Sequence, residues 1–273
     1  MIHDDTQCIL GEGPLWHPVR GELFWFDILG KRLHCKARHW QFDEYVSAAG
    51  WVDADTLLIA SQSALFRLDL RDGSQTKLCD LEADNPVTRS NDGRADPLGG
   101  FWIGTMGIEA EEGAGAIYRY YKGALRQIIA PVTISNAICF APDGKSAYFA
   151  DTPLQKIMRV SLDADGWPMG DPVVHIDLTD TDLHPDGAVV DAQGNLWNAQ
   201  WGAGRVAGYA PDGTFIESYH FPATQTSCPA FGGDDLTTLF CTSAATGLDG
   251  ADQGKTYTTS TSYKGQAEHQ VIL

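Results

Sequence analysis

Four residues with oxygen ligands to offer sit at one phase of an internal repeat: Glu12, Asn91, Asn136 and Asp186. Each lies 10 or 11 residues before the anchor of a short apolar strand, the anchors being Leu23, Phe101, Ala147 and Leu196. If the copies are arranged about an axis, equal phase means equal radius and height, so the four become one cluster. Two carboxylates and two amides converging in a channel are costly without a partner, because buried like charges repel. A divalent cation is the simplest remedy. Carboxylate and amide oxygens are hard ligands, suited to Ca²⁺, Mg²⁺ or Mn²⁺. The set holds no histidine or cysteine, so its chemistry does not favour zinc. Few protein ligands leave positions open for water and substrate, as catalytic metal sites do. For any one of these residues alone, a turn or cap role is the better reading. Coincidence of phase across four copies outweighs it. The other two copies hold Ser47 and Cys228 at this phase, so it is not a position where every copy needs an acid or amide.

The elements that must position these residues are themselves legible. Six copies of a polar turn followed by an alternating strand run from Gly21-Glu-Leu-Phe-Trp-Phe-Asp27 to Thr237-Thr-Leu-Phe-Cys-Thr-Ser243, with anchors 34 to 49 residues apart. A period near 40–45 residues with several short strands per copy is the mark of a β-propeller. The expected fold is all-β: a six-bladed β-propeller of four-stranded antiparallel blades around a central channel, one domain over residues 1–273. The first blade is expected to place strands at Pro14–His17, Glu22–Ile28, Arg32–Lys36 and Gln41–Val46, with turns at Gly30-Lys31 and Arg38-His39. The third strand recurs at Ala64–Leu68, Ala116–Tyr120, Lys156–Val160, Arg205–Tyr209 and Lys255–Thr259. Asp72-Gly73, Asp143-Gly144, Asp165-Gly166 and Asp212-Gly213 supply turn chemistry between strands. Apolar segments at Thr6–Leu10 and Gln270–Leu273 are candidates to complete the last blade. A large sandwich is the competing architecture, and six in-phase copies count against it.

Composition excludes several classes of function. Acids outnumber bases 36 to 19, a net charge of −17. Nucleic-acid binders need a basic footprint, and anionic membrane surfaces attract basic segments, so neither partner is expected. Met1-Ile-His-Asp-Asp-Thr6 has no apolar signal region, and no stretch approaches the roughly 20 apolar residues of a membrane-spanning helix. The six cysteines are dispersed without a Cys-x-x-Cys pair, so free thiols are expected. These features point to a cytoplasmic protein, a monomer or weak homo-oligomer.

At its motifs the chain resembles the SMP-30/gluconolactonase/regucalcin-like family of six-bladed propellers. The resemblance spans nearly the whole chain. It rests on Gly11-Glu-Gly-Pro-Leu-Trp16, Arg89-Ser-Asn-Asp-Gly93, Phe101-Trp-Ile-Gly-Thr-Met106, Gly115-Ala-Ile-Tyr118, Ser135-Asn136, Ala141-Pro-Asp-Gly144 and Pro185-Asp-Gly187. Leu196-Trp-Asn-Ala-Gln-Trp-Gly202 and Ser227-Cys-Pro-Ala-Phe-Gly-Gly233 also fit. The resemblance implies that Glu12, Asn136 and Asp186 bind one divalent metal, Ca²⁺ first, with Mn²⁺, Mg²⁺, Zn²⁺ or Fe²⁺ as alternatives. It implies that Arg89 and Asn91 contact a small-molecule sugar lactone. Glu111, with Glu112 adjacent, matches a glutamate that helps hold substrate hydroxyls. One departure is Asn136-Ala137, where the family usually has Asn-Gly.

The implied reaction is hydrolysis of an aldonolactone to the aldonic acid. The metal would polarise the lactone carbonyl and Asp186 would accept a proton from the attacking water. Trp16 and Trp201 are candidates to stack on a sugar face, with blade packing an equal alternative. No Ser-His-Asp or Cys-His arrangement competes, since no histidine motif is placed to activate Cys228. Two other functions share these residues: a metal-dependent phosphotriesterase-like or other ester hydrolase, and a non-catalytic calcium-binding propeller.

Overall fold

A computed structural model describes residues 1–273. Its strands form six four-stranded antiparallel sheets, the six blades of a β-propeller. Blade 1 comprises Gly11–His17, Glu22–Asp27, Arg32–Cys35 and Arg38–Gln41, ordered from the axis outward. The innermost strands of the next five blades are Val46–Asp53, Thr88–Ala95, Ser135–Phe140, His184–Val190 and Gln225–Gly232. Each innermost strand packs against those of the two neighbouring blades, and Gly11–His17 meets Gln225–Gly232 to close the ring. The only helical element is a single 3₁₀ turn, Thr152–Leu154. No helix is long and apolar enough to cross a membrane. All six cysteines are free thiols.

Strand alternation sends one set of side chains from each blade toward its neighbour, and this builds the core. Phe24, Phe26 and Leu33 of blade 1 interlock with Leu57, Ile59, Phe66 and Leu68 of blade 2. Trp25, Trp102 and Trp197, each on a second strand, are wholly buried. Truncating such an aromatic costs about 3–5 kcal/mol in lost transfer energy and cavity formation.

Two expectations at the edges are corrected. The last blade is completed by Ile2–Asp4, which pairs with Thr256–Ser260. Thr6–Leu10 is a connecting loop with one isolated bridge, Leu10 to Ala244, and Gln270–Leu273 forms no strand. Closure needs an exposed outer strand, and Thr6–Leu10 instead leads straight into the innermost strand of blade 1. In blade 1 the turn is Lys36-Ala37, which pairs Cys35 with Arg38. Arg38-His39 is therefore strand, and Val46 opens blade 2. The outer strand of a blade faces water, so its polar composition imitates a turn: Arg38, His39 and Gln41 are exposed.

Two further features bear on the channel. Every innermost strand breaks register near its start, after Glu12, Val46, Ser90, Asn136, Pro185 and Thr226, and Val46–Asp53 breaks again after Trp51. Such bulges bend a strand and re-aim its side chains, and they concentrate near functional sites. At the opposite end, the C-terminal segment crosses five blades. Gly265 bonds to the Leu236 carbonyl, Gln266 to those of Val190 and Phe140, Ile272 to Gly99 and Val271 to Trp51. Arg94 and Glu268 form an ion pair beneath this strap, with side chains 9% and 8% exposed.

Candidate functional site

The bulges place Glu12, Asn91, Asn136 and Asp186 around one cavity of about 280 Å³, with Arg89, Met106, Thr152 and Trp201 also in its wall. All four are buried, between 3% and 6% exposed. Gly13, following Glu12, has φ +51°, and a Cβ there would lie 2.3 Å from the Ser47 carbonyl oxygen. Only glycine fits that close approach. Ala137 occupies the matching position after Asn136 with φ +55°, and its methyl is buried among Cys139, Ala150 and Ala188. A left-handed alanine costs about 1–2 kcal/mol, which this site bears without displacing Asn136 from the cavity.

The electrostatics are those of like charges held together. Burial raises the Glu12 carboxyl to about 8, and neighbouring Asp92 adds to the shift. Burial, Glu12 and Asp92 hold Asp186 well above the usual carboxylate range. Glu12 and Asp186 are close enough for each to shift the other's carboxyl. Arg89 softens the repulsion, while its own burial lowers it to about 10. Its Nη1 donates to the Ser90 carbonyl at 2.9 Å and to Asn91 Oδ1 at 2.8 Å, and its Nε has no partner. Asn91 Nδ2 donates to Asn136 Oδ1 at 3.1 Å and to the Ser135 carbonyl at 2.9 Å.

This donor set fits a hard divalent cation. No three His, Cys, Asp or Glu side chains converge in a metal-like cluster anywhere in the chain. The site has two such groups, the Glu12 and Asp186 carboxyls, and the Asn136 amide oxygen supplies a third donor. A cation held by these carboxyls would relieve the repulsion between them.

The other predicted positions separate. Ser47 Oγ donates to Ser90 Oγ at 2.8 Å, a contact between blades. Burial raises the Cys228 thiol far above its ordinary value, as suits an inert core thiol. Trp201 lines the cavity, but Trp16 stacks on Phe240 at 5.6 Å in blade packing. Glu111 is exposed on the loop after Phe101–Gly107, and its Oε2 accepts the Glu109 N–H at 3.1 Å. It is not in the cavity wall.

Sequence reading missed Thr152 and Asp92. Thr152 follows the copy ending at Asp151, so its neighbour carried the visible signal. Asp92 Oδ2 accepts the Ile138 N–H of the next blade at 2.7 Å, and burial raises its carboxyl to about 6. The repeat copies also end on a second polar phase: Asp27, Ser61, Thr105, Asp151, Gln200 and Ser243. Two of these residues fasten loops. Asp27 accepts the N–H groups of Ile9, Leu10 and Gly30, and Asp151 those of Thr133 and Ile134.

Comparison with known proteins gives a consistent result. Residues 10–245 match the model of the SMP-30/Gluconolactonase/LRE-like region. A provisionally named sugar lactone lactonase of Rhizobium meliloti is 43% identical, covering 95% of this chain and 92% of its own. The L-arabinolactonase of Azospirillum brasilense is 36% identical, covering 89% and 84%. The crystal structure of a calcium-binding protein, regucalcin, from Agrobacterium tumefaciens superposes with a TM-score of 0.96 at 42% identity, covering 100% of this chain and 97% of that one.

Proposed function

This chain belongs to the SMP-30/gluconolactonase/LRE-like family, and we propose that it hydrolyses a sugar (aldono-) lactone to the aldonic acid with one divalent metal ion. The observation that carries this reading is the convergence of Glu12, Asp186 and Asn136 in the wall of one small cavity, beside an arginine with an unused donor. Relatives named for sugar lactone hydrolysis support the same chemistry.

Glu12, Asn136 and Asp186 would hold the metal, with Ca²⁺ the first expectation. The bound ion supplies Lewis acidity, polarising the lactone carbonyl and lowering the pKa of water. Asp186, in its deprotonated form, would accept a proton from the attacking water. Arg89, in the cavity wall, would turn a guanidinium N–H toward a ring or hydroxyl oxygen of the substrate, and Asn91 is held by Arg89 beside it. Leu10, Met106, Ile134 and Trp201 give the cavity an apolar wall that lies against a sugar face and excludes bulk water. A cavity of about 280 Å³ suits a single sugar ring.

The test is to strip the metal, restore Ca²⁺, Mn²⁺, Mg²⁺, Zn²⁺ or Fe²⁺ in turn, and follow acid release from pentono- and hexonolactones. Asp186→Asn is expected to lower kcat/KM on the order of 10³-fold with folding intact, and Asn136→Ala to lower it as well. Unchanged rates in both variants would overturn the site. Turnover confined to phosphotriesters would replace the substrate class.

A further inference from the structure

We infer that Thr152 is a positioning residue that fixes which end of the Asn136 amide faces the metal; the inference rests on the reading of Glu12, Asn136 and Asp186 as ligands. Carboxylates present oxygen however they rotate. An amide does not: turned by half a revolution, Asn136 would offer N–H groups to a cation. The site therefore needs a device that sets the orientation of this one ligand.

The hydrogen bonds around Asn136 form a chain of single polarity. Arg89 Nη1 donates to Asn91 Oδ1 at 2.8 Å, and Asn91 Nδ2 donates to Asn136 Oδ1 at 3.1 Å. Asn136 Nδ2 donates to Thr152 Oγ1 at 2.8 Å, and Thr152 Oγ1 donates to the Pro185 carbonyl at 2.7 Å. Guanidinium can only donate and a carbonyl can only accept, so the two ends dictate every direction between them. Asn91 is pinned by the Arg89 guanidinium and by the Ser135 carbonyl, so its Nδ2 faces Asn136 Oδ1. Thr152 supplies the other end. Its one proton is committed to Pro185, which leaves a lone pair as the partner for Asn136 Nδ2.

The same hydroxyl joins two blades. Asn136 belongs to blade 4, while Pro185 precedes Asp186 on the bulge of blade 5. Thr152 is itself tied down: its N–H donates to the Ile134 carbonyl at 3.1 Å, and its carbonyl accepts the Gln155 N–H at 3.0 Å. It thus sets the orientation of one ligand and the position of another.

The experiment compares Thr152→Val, which keeps the shape and deletes the hydroxyl, with Thr152→Ser, which keeps the hydroxyl. Ca²⁺ binding is read by titration calorimetry, Mn²⁺ binding by electron paramagnetic resonance, and lactone kinetics alongside. Thr152→Val is expected to weaken binding of both ions about 10- to 100-fold, the usual effect of losing a group that orients a ligand. Thr152→Ser is expected to stay within about threefold of the parent protein, and kcat/KM of Thr152→Val to recover at raised metal concentration. A purely structural role would lower the melting temperature of Thr152→Val and leave both affinities unchanged; that result overturns the inference. Should Thr152→Val fail to fold, Thr152→Ala makes the same comparison. If the parent binds Ca²⁺ and Asp186→Asn abolishes that binding while Thr152→Val matches the parent, only the role of Thr152 falls. If the parent binds neither ion, the metal site falls and Thr152 with it.

Discussion

The two ends of the central channel both bury charge, and they treat it in opposite ways. At the strapped end, the Arg94 guanidinium meets the Glu268 carboxylate, each almost sealed from water. Burial works against the Arg94 charge, and Glu268 outweighs it. At the open end, Glu12 and Asp186 face each other as like charges, with Arg89 beside them and shared with Asn91. A charge that folding alone had to accommodate is matched by an opposite charge. The charges left mismatched stand where a ligand would complete them, which is the physical reason for placing function at that end.

Breaking the matched end should damage stability and spare function. Glu268→Ala leaves buried Arg94 without its ion-pair partner, with an expected loss of about 3–5 kcal/mol in denaturant unfolding. The Ca²⁺ affinity of the folded fraction should stay within about twofold of the parent. Lost metal binding with unchanged stability would reverse the assignment of the two ends.

Acidity sharpens the contrast at the mismatched end. Folding raises the Glu12 and Asp186 carboxyls, so the folded chain holds protons that the unfolded chain releases. This contribution is fully present below the ordinary Glu12 value of 4.5 and is lost as pH rises toward about 8. Metal-stripped protein should therefore melt about 5 °C lower at pH 8 than at pH 5. Asp186→Asn should flatten that slope, and saturating Ca²⁺ should offset it by binding the deprotonated pair. Parallel slopes in parent and variant would remove the carboxyl pair as its cause.

The smallest effect is expected outside the cavity wall. Glu111 lies exposed on its loop, so Glu111→Ala should change kcat/KM by no more than about twofold if the loop keeps this position. A tenfold rise in KM with kcat unchanged would show that the loop folds over bound substrate and brings Glu111 to it.

The ring of blades was legible because strand alternation and turn residues recur with the chain, and recurrence survives imperfect local signals. The phase of Glu12, Asn91, Asn136 and Asp186 was legible for the same reason. What escaped was pairing at long range. Glu268 meets Arg94 across 174 residues with no local mark on either. Ile2–Asp4 closes the last blade because its edge is free, a fact about the whole ring. Thr152 was hidden differently: its hydroxyl gains meaning only when blades 4 and 5 stand side by side. The polar phase from Asp27 to Ser243 was visible in every copy, but separating loop fasteners from site residues required knowing which strand faces the axis.

The six register breaks at the rim carry a consequence for how such a molecule can change. Each bulge absorbs an irregular residue at the rim, and ladder pairing resumes beyond it in every blade. The rim is thereby insulated from the framework, so its composition can be revised one blade at a time without rethreading the sheets. At the same phase of the repeat, positions 47 and 228 already carry a serine and a cysteine where other blades carry carboxylates and amides. One scaffold can therefore diversify its chemistry by exchanging rim occupants while its blades stay as they are.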